Sequence, residues 1–266
     1  MTNIIKTSSN LFQSDITLKN LENQSPKTLI KYIKENSDID INDDKIFVEN
    51  YHRDWSNIEG FADIVARPKN TYECCLLMFL FSNAHIPITI SAGKTNLTGS
   101  ATPLGGVVIN TELMLLPKPK ININKKIIKV PVGEILENVR KDVLKLSNNK
   151  LYYPVDPTSR KDATVGGTIL CNASGFIPGE KGATRYWVES IEMVLLNGKT
   201  INATRGQYTS KNNEFIIDNN VVKVPTYSRP KIKNASGIFS ADKNDIDFVD
   251  LIIGSEGIFG LLSGCE

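Results

Sequence analysis

The stretch Ser91 to Ser100, SAGKTNLTGS, is small or polar except for Leu97. Thr95, Asn96, Thr98 and Ser100 carry side-chain donors, Lys94 carries a positive charge, and Gly93 and Gly99 can take positive φ. Successive backbone N–H groups in such a turn form a concave nest for an anion, and phosphate suits it. A solvated β-turn fits the same residues. The stretch is neither G-x-x-x-x-G-K-[ST] nor G-x-G-x-x-G, and a strand rather than a helix follows it. Chemistry of other kinds is sparsely provided. The chain has only two histidines, His52 and His85, which are general-base candidates by type alone. Its cysteines, Cys74, Cys75, Cys171 and Cys265, form no C-x-x-C pair, so no zinc site is expected and the thiols are read as reduced.

The elements that must position the first stretch are strands. Ile86, Ile88 and Ile90 alternate with Pro87 and Thr89, and Val107 to Ile109 restart a buried run. Ala62 to Ala66 reads as a short buried strand ending at Arg67-Pro68. Thr71 to Ala84 reads as a helix that Thr71 can cap, with Cys74 and Cys75 as packing residues. Residues 62 to 91 are therefore expected to form a βαβ unit with parallel strands and a right-handed crossover. The polar loop then lies at the carboxyl end of the second strand, where open α/β sheets bind ligands.

Around this unit, residues 1 to about 25 read as an irregular arm, and Ser25-Pro26 as a helix start whose buried face is Leu29, Ile30 and Ile33. The segment YHRDWSN, with His52 to Trp55, is either a lip of a binding site or a surface turn with one packed Trp; we read it as the turn. Lys118 to Lys129 is a solvated hairpin, and a helix is expected from about Glu134 to Leu146. Asp156-Pro157 fixes a turn. Thr164 to Gly167 and Asn172 to Gly175 are further small-residue loops, separated by a short element. Val188 to Leu196 reads as a strand that ends in the hairpin signal Asn197-Gly198. Residues 205 to 220 look like an exposed insertion, and Lys233 to Gly237 like another turn. Leu251 to Ile253 and Ile258 to Leu262 read as strands joined by the turn Gly254 to Gly257.

The chain has 266 residues, enough for one large domain or two lobes, and its hydrophobic fraction of 41% supports a core. With 31 Lys+Arg against 29 Asp+Glu, charge nearly balances, which argues against a nucleic-acid partner held by bulk charge. No apolar run approaches the ~20 residues of a membrane span. The N-terminus MTNIIKTSSN has no signal-peptide core, so a cytoplasmic location is expected.

Three of these stretches, in this order, resemble the PCMH-type FAD-binding domain of the vanillyl-alcohol oxidase / p-cresol methylhydroxylase flavoprotein family. The nearest branch is that of D-lactate dehydrogenase and the glycolate oxidase flavin subunit. PITISAGKTNLTGS is similar to P-x-x-x-x-G-x-G-T-x-x-x-G. DPTSRKDATVGGTILCNASG is similar to D-P-x-S, T-[IV]-G-G and N-A-x-G; IIGSEGIFGLLS is similar to G-S-E-G-T-L-G-I-[IV]-T. The resemblance covers roughly residues 45 to 263. It implies that Ala92, Gly93, Lys94, Thr95, Asn96 and Leu97 wrap the FAD pyrophosphate through backbone amides. It implies a second contact set of Asp156, Thr164, Val165, Gly166, Gly167, Asn172, Ser174 and Gly175 along the flavin and its phosphates, with Gly182 and Thr184 on the same face. Glu256, Gly257 and Ile258 would complete the cofactor contacts.

The chain departs from the family pattern in informative places. Lys94 stands where the family usually has Gly, Lys181-Gly182 replaces Tyr-Gly, and Ile258-Phe259 replaces Thr-Leu. No His or Cys lies between Ser91 and Ser100, so FAD is expected to bind noncovalently. Family members continue past the last signature into a cap domain that supplies most of the substrate pocket and the catalytic base. This sequence ends at Ser263-Gly264-Cys265-Glu266, which reads as a truncated chain, a split gene product or a subunit completed by a partner. An exposed apolar face is then expected where a cap would dock.

The expected fold is α+β with two lobes. After an N-terminal arm and helix (1–44) comes a small βαβ lobe (45–118), then a larger lobe of mixed or antiparallel sheet with flanking helices (119–266). The expected function is FAD-linked oxidation of a small 2-hydroxy acid such as D-lactate or glycolate, with no catalytic residue identified. The alternatives are a catalytically incomplete FAD-binding module serving electron transfer or assembly, and a nucleotide or sugar-phosphate binder, which would leave the second and third stretches unused.

Overall fold

The computed structural model describes residues 1–9, 16–235, 237–242 and 244–266. Part of the expected arm (residues 10–15) and Ser236 of the expected turn lie outside the described residues. Strand β1 (Ile4–Ile5) pairs in parallel with a strand more than two hundred residues later. Helix α1 (Pro26–Asn36) starts as its sequence requires: Ser25 Oγ accepts the Thr28 N–H at 3.2 Å, Pro26 takes the first position, and Leu29, Ile30 and Ile33 are buried. Strand β2 (Asp40–Asn42) and helix α2 (Lys45–Glu49) follow.

Next come β3 (Ile64–Arg67), α3 (Thr71–Asn83), β4 (Ile88–Ser91) and β5 (Val107–Asn110). They build a four-stranded sheet of order β2-β3-β5-β4. β3 and β4 are parallel as expected, and β5 runs parallel between them. All four β5 residues are buried, which is why Val107 to Ile109 read as a continuous apolar run and not an alternation. Asn70, not Thr71, caps α3: its Oδ1 accepts the Glu73 N–H at 3.0 Å. Thr71 instead donates to Glu192 Oε1 at 2.7 Å. Seven of the helix's residues are buried, Cys74 and Cys75 among them, as expected of a helix that is apolar nearly all round.

Beyond the exposed hairpin of β6 (Lys120–Asn122) and β7 (Ile127–Lys129) lies α4 (Leu136–Leu146), which buries Leu136, Val139 and Val143. Helix α5 (Val165–Leu170) corrects the expectation of a loop at Thr164 to Gly167. Thr164 caps it, accepting the Gly167 N–H at 3.1 Å. Its glycines serve packing: a Cβ on Gly166 would meet Val132 Cβ at 2.9 Å. Strands β8 (Ser190–Val194) and β9 (Thr200–Thr204) form the expected hairpin.

Residues 205 to 220 are not an exposed insertion. Tyr208 and Ser210 are buried, and β10 (Glu214–Ile217) buries Phe215 and pairs with β11 (Asn220–Lys223) and with β1. The N-terminal arm is therefore knitted into this region. Thr2 bridges to Tyr208 and Thr7 to Ile201 as well.

Near the C-terminus, α6 (Phe248–Ile252) replaces the strand expected at 251–253. Asp247 caps it by accepting the Val249 N–H at 2.8 Å, and a short apolar run alone does not separate helix from strand. The last strand, β12 (Leu261–Cys265), lies three residues later than expected and pairs antiparallel with β8. One core cluster runs from Ile5 through α3 and β5 to Leu261 and Cys265.

Candidate functional site

The polar loop leaves β4 at Ser91, anchored by Asn110, whose Nδ2 donates to Ala92 O at 2.9 Å. Among the described residues, the backbone N–H groups of Gly93 to Leu97 have no hydrogen-bond partner. The loop holds its shape through its other groups. Asp54, which is 4% exposed, accepts from Asn96 Nδ2, from the Ser56 N–H at 2.9 Å and from the Ala101 N–H at 3.3 Å. Burial alone would raise the Asp54 pKa. The hydrogen bonds from Ser56, Asn96 and Ala101 outweigh it and hold the carboxyl below its usual value.

Lys94 is the correction in this loop. It sits at φ 55°, the left-handed conformation that favours the family's glycine. Its ammonium points away from the nest, donating to Asn50 O at 2.6 Å and lying 4.3 Å from the centre of the Tyr51 ring. Burial lowers its pKa. The positive charge read from the sequence therefore braces the loop against the His52–Trp55 segment. That segment is more than a surface turn, since Asp54 and the Trp55 N–H, which donates to Lys94 O at 3.1 Å, both fasten the loop.

The start of α5 closes on this loop backbone to backbone. A Cβ on Gly93 would sit 2.2 Å from Asp162 O, and one on Gly167 would lie 3.7 Å from Ala92 Cβ. The helix does not offer free amides of its own. Val165 N–H donates to Glu134 O, Gly166 N–H to Val132 O and Gly167 N–H to Thr164 Oγ1. The third stretch clamps both: Glu256 N–H donates to Leu170 O at 2.9 Å, and its Oε1 accepts from Thr98 Oγ1 at 2.8 Å.

The result is a cleft lined by Ala92, Gly93, Lys94, Thr95, Asn96, Thr164, Gly166, Gly167 and Glu256, with Ser159, Ala163, Cys171 and Ala173 alongside. The remaining sequence-named residues lie outside its lining. Val165 faces the core and Leu97 stands exposed. Gly257 packs near Ile90, and Ile258 is 64% exposed, on a turn and not the expected strand. Asp156, Asn172, Ser174, Gly175, Gly182 and Thr184 brace the segment beside the cleft. Asn172 Oδ1 accepts the Arg185 N–H, Thr184 Oγ1 donates to Ala173 O, and Ser174 bridges to Ala183. A Cβ on Gly175 would lie 2.1 Å from Asp156 Oδ1, and one on Gly182 1.8 Å from Ile177 O. Neither histidine reaches the cleft. His85 is exposed, and His52 lines a different cavity beside α1 and α2.

The donor set fits an extended dinucleotide: unpaired amides and hydroxyls meet at one end, small residues run along the wall, and one carboxylate, already engaged, is present. Cys171 is the one thiol on the wall. Burial, with the charges of Glu256 and Asp54, pushes it up to about 12, so it is a neutral thiol and a poor nucleophile at neutral pH.

A family model described as an FAD binding domain matches residues 62–204. Among curated proteins, glycolate oxidase subunit GlcD of Bacillus subtilis is 30% identical over 150 residues, 54% of this chain and 30% of that protein. D-lactate dehydrogenase of Anaerostipes hadrus is 32% identical over 158 residues, 58% of this chain and 32% of that protein. The chain spans about a third of the length of these relatives. An alkyldihydroxyacetonephosphate synthase structure superposes over 98% of this chain and 42% of its own, with a TM-score of 0.64 at 18% identity, a likeness of fold.

Proposed function

This chain belongs to the FAD binding domain family, and from that premise we propose that the cleft at the carboxyl end of β4 holds the pyrophosphate of FAD. The observation that carries this is the convergence of three stretches far apart in sequence on one cleft whose unpaired amides run from Gly93 to Leu97. The two phosphates would take the amides of Gly93 to Leu97, while Thr164, Gly166, Gly167 and Glu256 form the opposing wall. Asp54, Asn110 and Glu256 hold the loop in place, so binding costs little ordering. The division into lobes at about residue 118 follows from the same reading.

We further propose that the holoprotein takes part in oxidising a small 2-hydroxy acid such as D-lactate or glycolate. FAD supplies the hydride acceptor when bound; this chain binds it, orients it and shields it. Attachment is noncovalent, since the first loop has no His or Cys and the Cys171 thiol is protonated. The experiment is an absorbance spectrum of the purified protein before and after heat denaturation. Flavin absorbance that moves to the supernatant is expected. Protein that is colourless and takes up no added FAD would overturn the reading.

A second reading is favoured by one observation: no histidine faces the cleft and its one carboxylate is engaged by Thr98. On this reading the chain is a flavin module that needs a partner chain or further domain for turnover. Trp55, Ile58, Phe61, Leu97 and Leu104, exposed large apolar side chains near the first loop, would suit such a contact. Bound FAD that chemical reductants reduce but D-lactate and glycolate do not would select this reading.

A further inference from the structure

A second cavity, of about 400 Å³, opens beside the 172–185 segment and is walled by the chain from Tyr227 to Phe239. It shares no lining residue with the cleft. Its charge is one-sided, since Arg185, Arg205, Arg229 and Lys233 face only Asp250 and Glu180.

Three of the four cations are already engaged. Arg205 pairs with Asp250 at 3.1 Å and donates to Val188 O and Arg185 O. Arg185 pairs with the same carboxylate at 3.5 Å and donates to Asp250 O and Ile253 O. Lys233 Nζ donates to Gly175 O at 2.9 Å and to Ile177 O at 2.7 Å. Arg229 is different. Among the described residues it makes no hydrogen bond and no ion pair, and its Nε is buried without a partner. Its guanidinium lies 4.1 Å from the centre of the Phe239 ring, and that of Arg185 lies at the same distance from the same ring.

Each guanidinium is attracted to the face of that ring, but the ring accepts no hydrogen bond in the guanidinium plane, and a buried unpaired N–H is costly. Burial, opposed by Asp250 and reinforced by Arg205 and Arg229, brings the Arg185 pKa down to about 10. The missing counter-charge has a defined shape. Two N–H groups on one edge of a guanidinium match two oxygens of one carboxylate or phosphate, and such bidentate pairs are the strong ones. Tyr227 and Ile232, both largely exposed on the rim, supply an apolar wall for the rest of a ligand.

We propose that this cavity binds a small organic oxyanion, a carboxylate or a phosphate, on the guanidinium of Arg229. The site is separate from the FAD cleft. Inorganic phosphate, D-lactate and, as a neutral control, glycerol are titrated into the full chain with and without added FAD. The readouts are Tm and the fluorescence of Trp187, whose ring lies 5.1 Å from that of the cavity residue Tyr186. A saturable rise with one anion and none with glycerol is expected. Saturation by D-lactate alone assigns a carboxylate, and by phosphate alone a phosphate ester. Arg229→Gln should weaken binding at least tenfold, and Lys211→Gln, away from the cavity, should leave it unchanged. Ile232→Glu, at an exposed position, places a carboxylate at the rim and should block binding even if Arg229→Gln does not fold. The flavin spectrum should be the same in every variant, so a loss here does not touch the FAD reading. No saturable response to either anion, or an undiminished one in Ile232→Glu, overturns the proposal.

Discussion

Lys94 and Asp54 show how residues that touch the same loop can do opposite things from what their charges suggest. Lys94 sits on a phosphate-type nest yet aims its ammonium at Asn50 O and the Tyr51 ring. Lys94→Gln is therefore expected to change FAD affinity by less than about threefold, read by flavin fluorescence titration; a phosphate-bound lysine would cost far more, since charged hydrogen bonds are worth about 1.5–3 kcal/mol. Asp54 carries no ligand contact in this reading, but three donors converge on it. Asp54→Asn is expected to destabilise by about 1–3 kcal/mol at neutral pH, because donors then face a donor. The pH dependence follows from its depressed folded-state pKa. Its contribution is present above the unfolded carboxylate value of about 4 and is lost as pH falls through the lower folded value. Tm measured from pH 7 down to 3 should therefore drop more steeply in wild type than in Asp54→Asn.

At the scale of elements, glycine positions separate packing from turn chemistry. Gly93→Ala would drive a Cβ to 2.2 Å from Asp162 O, a backbone atom that cannot swing away. It should cost about 1–3 kcal/mol and release FAD, because it pries the first loop from α5. Gly179→Ala meets nothing within 4 Å and pays only for its backbone, φ 75° and ψ −177°, about 1–3 kcal/mol. Its FAD spectrum should be intact, and denaturant melts of the two variants make the comparison. The same logic explains what the sequence made legible. The βαβ start, the cap at Ser25, the β8–β9 hairpin and the polar loop are local patterns, and each is found where local pattern places it. Helix α5 was hidden because its Gly pair lowers helix propensity while answering a contact with Val132 that no local window contains. Helix α6 was hidden in an apolar run that suits either period. Strand β1 looks too weak to form alone, and only its pairing with β10, across about two hundred residues, makes it a strand. Asp54 was missed at the site for the same reason, because its partners lie some forty residues away.

For the whole molecule, the two chain ends are structural members. Ile5 is 3% exposed and carries β1 onto β10. Ile5→Ala should cost about 2–5 kcal/mol and lower Tm as a core substitution does, although the residue lies five positions from the start of an arm that reads as irregular. At the other end, β12 joins the sheet through β8, and Glu256 ties Thr98 to the carbonyl of Leu170. The nest at Gly93 to Leu97 is thus finished by Glu256, which lies 158 positions beyond its partner Thr98. Chains grow from their N-termini and fold as they emerge, so this clasp arrives after the rest of the cleft. Cofactor capture then waits on the third stretch: nascent chains stalled before Ser255 should retain no flavin on the ribosome, whereas chains that have emerged beyond Cys265 should, and the pigment marks which molecules have closed the clasp.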